Sequence, residues 1–214
     1  NRLLTTIAYR IKGKTTYAME GSIFIAGAGV QWLRDKMKFI KKASETEKII
    51  KSLKDNKGIY LVPAFTGLGA PYWDANARGV LSGLTRDTGP KEIVRATIES
   101  VAYQTYDLFE AMKHDGLRPK LVKVDGGMVM NNWFAQFLSD VVNIKVLRPR
   151  VQETTALGAA FMAGLHIGAY KSLKDISKNW NLDRSFKPKI DSKLRKSLVK
   201  GWSVAIKKTI TKTI

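Results

Sequence analysis

An apolar run, Leu121–Val124, ends on Asp125-Gly126-Gly127 and passes through a short segment into a helical pattern from Asn131 to Val142. No other stretch constrains the chain as much. A strand that hands over to a helix through so short a turn belongs to a layered α/β domain. Two consecutive glycines also strip the backbone of Cβ atoms, so that a flat group can approach it closely. The helix start beyond them offers unpaired N–H groups and the positive end of a dipole. An asparagine there can donate to and accept from a purine or a ribose. Two readings fit: a tight strand-to-helix turn, or the wall of a ligand site.

The remaining pattern agrees with an α/β class. Leu3–Tyr9 and Thr16–Met19 read as strands joined across Gly13. Ile23, Ala26, Val30, Leu33 and Met37 recur at helical spacing and predict a helix from Ser22 to Ile40. A second helix is predicted from Ser44, with Ser44 and Glu47 at capping-box spacing, to near Gly58. Ile59–Phe65 is a short apolar run that ends in a loop, Thr66–Asn76, and Gly79–Leu84 is a strand candidate. A long helix spans about Pro90 to Lys113, with proline near its first turn, where a missing N–H is harmless. Lys145–Leu147 is a short strand, and Thr154–Ile167 reads as a buried small-residue helix capped by Gly168. The last helix, Ser192–Ile210, aligns Leu194, Leu198, Trp202, Ile206 and Ile210 along one stripe. No repeat and no flexible linker divides the chain. Residues 1–190 are expected to form one domain, with 191–214 a basic C-terminal helix.

A second glycine feature lies inside the first predicted helix, at Ala26-Gly27-Ala28-Gly29-Val30-Gln31. Glycine in a helix interior costs up to about 1 kcal/mol relative to alanine. Two of them leave one face nearly bare, either for close packing of another element or for a ligand ring. Gln31 follows Gly27 by one turn, so both can face one pocket.

Composition removes several classes. A hydrophobic fraction of 44% over 214 residues excludes a disordered chain. The sequence has no cysteine, hence no disulfide framework and no thiolate metal site, which suits a reducing, cytoplasmic setting. The start carries no apolar signal segment and no initiator Met, which suggests processing or a fragment. The longest uncharged run, Thr154 to Tyr170, is too short for a membrane span. The net charge of +19 invites a nucleic-acid reading, but its distribution opposes one. Residues 58–170 hold 11 basic and 10 acidic side chains, whereas 1–57 hold 13 and 5 and 171–214 hold 13 and 3. The motif-bearing middle is nearly neutral, and the flanking lysines lack the aromatic interleaving of a stacking platform. They read as a solvated surface, with no nucleic-acid or membrane partner.

Several short strings are decoys. Gly13-Lys14-Thr15 lacks the upstream glycine and following helix of a phosphate loop. Val204-Ala205-Ile206-Lys207 copies a protein-kinase string but lies in an amphipathic helix. Gly67-Leu68-Gly69 would need a third glycine at Tyr72. His114 and His166 have no companions at ligand spacing.

Longer strings carry a resemblance. Gly79-Val80-Leu81-Ser82-Gly83-Leu84 followed by Glu92-Ile93-Val94-Arg95-Ala96-Thr97-Ile98-Glu99 is similar to the C-terminal signature of FGGY carbohydrate kinases. Pro63 to Asp74, Ala77-Arg78-Gly79, Ile98 to Thr105 and Glu153 to Ala160 resemble the glycerol kinase branch of that family, with xylulose and gluconate kinases as runners-up. The likeness runs from Asn1 to about Ile190. It implies an actin-like ATPase (ribonuclease H-like) lobe with a mixed sheet flanked by helices. It also implies an ATP-dependent kinase with Mg2+ as cofactor and ATP/ADP as ligand, homo-oligomeric at full length. By the family's motifs, Gly27, Gln31, Gly127 and Asn131 contact the nucleotide. Met128 and Met130 depart from the small residues common there. The family's glycerol site, catalytic aspartate and phosphate-holding hairpin are expected upstream of Asn1. The chain alone is therefore expected to be inactive, or to serve as a nucleotide-binding module, and Asp74 and Asp125 are not candidates for the catalytic role.

Overall fold

The computed structural model describes residues 3–211; the outermost residues of the two expected domains, at positions 1, 2 and 212–214, lie outside them. Strands β1 (Leu4–Ile11) and β2 (Lys14–Glu20) form an antiparallel hairpin. Its turn residues Lys12 and Gly13 both have positive φ, 49° and 79°, as a tight two-residue hairpin turn requires. The Gly13-Lys14-Thr15 string is thus a turn and not a phosphate loop.

Helix α1 covers Gly27–Asp35, shorter than the Ser22–Ile40 that periodicity predicts. The backbone before it is engaged elsewhere: Ser22 O accepts from the Ala70 N–H, and Ile25 O accepts from Gln104 Nε2. Beyond the helix, Lys38 turns to φ 57°. Helix α2 is also shorter, Glu45–Lys51. Ser44 is itself helical and its side chain caps nothing, so the expected capping box with Glu47 does not form. The chain then turns at Lys57 and Gly58, both at positive φ, with Asn56 Oδ1 accepting from the Gly58 N–H.

Strands β3 (Tyr60–Val62) and β4 (Val80–Ser82) pair antiparallel. Helix α3 (Pro90–His114) starts where Glu92 accepts from the Gly89 N–H. There follow β5 (Leu121–Lys123), a 3-10 turn (Gly127–Met130), α4 (Asn132–Val142) and β6 (Lys145–Pro149). The chain continues through α5 (Thr154–His166), α6 (Leu173–Ser177), β7 (Leu182–Phe186) and α7 (Ser192–Thr209). β5 and β6 run parallel and β7 joins β6 antiparallel, so this sheet is mixed as expected. The hairpin and the β3–β4 pair remain separate sheets. The sequence gives no sign of α6 or β7. β7 exposes every residue but Phe186, so no apolar alternation marks it, and it stands as an edge strand held by β6.

The core forms around α3, which packs against α4, α2, α1 and β3. Tyr103 of α3 stacks on Trp202 of α7 at 5.3 Å and meets Phe137 of α4 edge-on at 5.5 Å. Such aromatic pairs add roughly 0.5–1.5 kcal/mol beyond their buried area. Within the predicted α7 stripe Trp202 and Ile206 are buried and Leu198 and Ile210 pack on the core, while Leu194 is exposed. Glu99 is buried beside Tyr103. Burial pushes its carboxyl pKa up, opposed by Arg95 Nε at 2.7 Å, Asn56 Nδ2 at 3.2 Å and the Tyr103 hydroxyl at 3.3 Å. Helix α5 departs from its reading as a buried helix. Only Gly164 is buried, under the ring of Tyr170, and Met162 is exposed. Phe161 meets the Tyr170 ring edge-on at 5.5 Å, and the rest of the helix is half-buried or exposed. Gly168, at φ 80°, follows its end as expected.

Candidate functional site

Three helices and the turn after β5 converge on a cavity of about 260 Å³. That is slightly below the roughly 300–1,000 Å³ of small-molecule sites, enough for the base of a nucleotide rather than the whole. Its apolar walls are Val30 of α1, Ile98 of α3 and Met128, and its polar edge is Thr46 and Glu47 of α2. Gly127, Met130 and Asn131 close the remaining side.

The turn depends on its two glycines in different ways. Gly126 sits at φ 83° and ψ 171°, a conformation essentially confined to glycine. It lets the chain leave β5 and enter the 3-10 turn. Gly127 has no such strain, and a Cβ built on it would meet nothing within 4 Å. Its backbone is therefore bare toward the open space bordering the cavity.

Asn131 caps α4: its Oδ1 accepts from the Phe134 N–H at 2.9 Å, a cap worth about 1 kcal/mol. Its Nδ2 donates to Thr46 Oγ1 at 3.2 Å. Glu47 Oε2 accepts from the Asn132 N–H at 3.1 Å, and Lys51 Nζ donates to Glu47 Oε1 at 2.6 Å. Burial alone would raise the Glu47 pKa, but Lys51 and the Asn132 N–H outweigh it and hold the carboxyl below its usual range. These bonds bolt α2 to the start of α4. They also correct the expectation of an open helix start. The segment directly after Gly127 is a 3-10 turn, and the first N–H groups of α4 include two already satisfied by Glu47 and Asn131. What the site offers is shape, a bare backbone and a polar edge.

Gly127 and Asn131 thus share one cavity. Gly27 and Gln31 are both exposed on α1 and do not line it; α1 reaches it through Val30, between them. The helix-packing reading holds for one of the two glycines. A Cβ on Gly29 would lie 3.0 Å from Thr97 Cγ2 of α3, so Gly29 serves helix packing, whereas a Cβ on Gly27 would meet nothing within 4 Å. Thr46, Glu47 and the two methionines were not signalled as lining residues. Capping-box spacing singled out Glu47, but its carboxylate caps α4 rather than its own helix.

Both aspartates set aside in the sequence accept hydrogen bonds within the chain. Thr154 Oγ1 donates to Asp125 Oδ2. Asp74 is buried and accepts from the N–H and hydroxyl of Thr211 and from the N–H groups of Asn76 and Ala77. The Thr211 N–H is the foremost cause holding its pKa below the usual range. Among the described residues no group of three or more His, Asp or Glu side chains could hold a metal ion, and no helix is long and apolar enough to cross a membrane.

Residues 3–167 match the C-terminal domain of the FGGY family of carbohydrate kinases. Glycerol kinase 1 of Pseudomonas aeruginosa is 57% identical over 208 residues, covering 97% of this chain and 42% of that protein. The crystal structure of Plasmodium falciparum glycerol kinase with ADP superposes with a TM-score of 0.88 at 38% identity, over 99% of this chain and 42% of the other. Gluconate kinase from Lactobacillus acidophilus, at 23% identity and a TM-score of 0.78 over 96% of this chain and 41% of its own, shares the fold. The chain therefore spans about two fifths of the length of these relatives, and its architecture is that of an actin-like ATPase lobe.

Proposed function

The chain belongs to the FGGY family of carbohydrate kinases, and we propose that it is the nucleotide-binding C-terminal lobe of an ATP-dependent glycerol kinase. The whole enzyme would transfer the γ-phosphoryl group of ATP to glycerol, giving ADP and sn-glycerol 3-phosphate. Identity of 57% to a glycerol kinase, against 23% to a gluconate kinase, favours glycerol within the family. The observation that carries the nucleotide reading is the cavity itself, which Gly127, with open space at its Cβ position, lines together with the apolar Val30 and Ile98. A purine would slide between these surfaces, with Thr46 and Glu47 at its polar edge. Gly27 and Gln31, on the exposed side of α1, would meet the ribose or phosphates beyond the cavity mouth.

Phosphoryl transfer rests on positioning and on charge neutralisation rather than on covalent chemistry by the protein. This chain's share is positioning. Mg2+ would arrive on the nucleotide phosphates, since the described residues build no cage for it. The base and the glycerol site would lie in the part of the relatives' length that this chain does not span. Calorimetric titration of the chain with ADP tests the reading: weak binding is expected, abolished by Gly127→Val. Equal affinity in wild type and variant would overturn it.

A further inference from the structure

Arg148 of β6 is 5% exposed and lies behind the cavity rather than in it. Its Nη1 donates to the carbonyl oxygens of Val129 at 2.7 Å and Met130 at 3.4 Å. Its other edge is held by Asp183 of β7, whose Oδ2 lies 2.7 Å from Nε and 2.6 Å from Nη2. The neighbouring Arg184 donates to Asn132 Oδ1 at 3.1 Å.

We propose that Arg148, oriented by Asp183, is a positioning residue for the nucleotide site. It clamps the back of the 3-10 turn so that Gly127 and Asn131 keep their places in the cavity. A four-residue 3-10 turn leaves its last carbonyl groups without partners of its own, and a buried carbonyl without a partner is costly. The guanidinium supplies donors on two edges at once, which lysine cannot do. Arg148 is committed on both edges, so it acts through the turn and not on the ligand. The inference rests on the nucleotide reading above.

Hydrogen exchange of the amides of residues 126–131 and ADP calorimetry, on folded wild-type, Arg148→Lys and Asp183→Asn chains, test it together. Arg148→Lys is expected to speed exchange in the turn, leave α3 protected and weaken ADP binding about tenfold, the loss of one charge-assisted hydrogen bond. Asp183→Asn, whose side chain is 41% exposed and whose folding is therefore safer, is expected to shift both readouts the same way by less. Faster exchange with unchanged ADP affinity would make Arg148 merely structural and overturn the inference, as would no change in either. If the wild-type chain binds no ADP, the nucleotide reading falls and the positioning role with it. Exchange then reports on the turn alone.

Discussion

Asp107 on α3 is a carboxylate whose environment works against its charge. Burial pushes its pKa from 3.8 to about 6, with Glu110 adding to the rise, while the indole Nε1 of Trp202 at 2.7 Å and Tyr72 oppose it. The folded chain therefore holds the proton more tightly than the unfolded chain. Well below pH 3.8 both states are protonated and no penalty exists. As the pH rises toward 6 the unfolded state ionises first, so stability falls; above 6 the loss is complete. A rise from 3.8 to about 6 corresponds to roughly 3 kcal/mol. Asp107 also borders a solvent-open hollow with Pro71, Tyr72 and His114, and screening there brings the figure to about 1–2 kcal/mol. Asp107→Asn keeps an acceptor for Trp202 and removes the charge. Urea unfolding followed by circular dichroism should find the variant more stable than wild type by that amount at pH 7.5, with the gap narrowing toward pH 4. A variant less stable at pH 7.5, or a gap that does not change with pH, would refute the reasoning.

The glycines of the turn should separate stability from binding. Gly126→Ala, forced into a glycine-only conformation, is expected to destabilise by about 1–3 kcal/mol, read as a lower urea midpoint. Gly127→Ala, with open space at its Cβ, should leave the midpoint within about 0.5 kcal/mol of wild type while weakening ADP binding in calorimetry. Asn131→Ala removes the α4 cap and the link to Thr46. It should lower stability by about 1 kcal/mol and weaken ADP binding as well, the two effects appearing together in thermal melts with and without ADP.

The features legible in the sequence are those whose cause is local. The Leu121–Asn131 motif announces a strand, a turn and a helix because glycine freedom and apolar periodicity act over a few residues. α3 and α7 are legible for the same reason. What stayed hidden is set by partners far along the chain. The start of α1 is displaced because Ala70 and Gln104 take the carbonyls of Ser22 and Ile25. β7 is a strand because β6 is beside it, not because its own residues alternate.

The site divides along the same line. Gly127 and Asn131 come from one contiguous motif, and the structure keeps them in one cavity. The groups that hold them there are Thr46 and Glu47, bonded across 85 residues to Asn131 and Asn132, and Arg148 with Asp183, bonded across 35. No local pattern reports such bonds. A glycine motif marks where a ligand can approach the backbone. Whether that backbone stays in place is decided by side chains whose only signal in the sequence is an arginine or a threonine among many. This is why the test of Arg148 bears on the site as directly as the test of Gly127: one asks whether the surface is bare, the other whether it is held still.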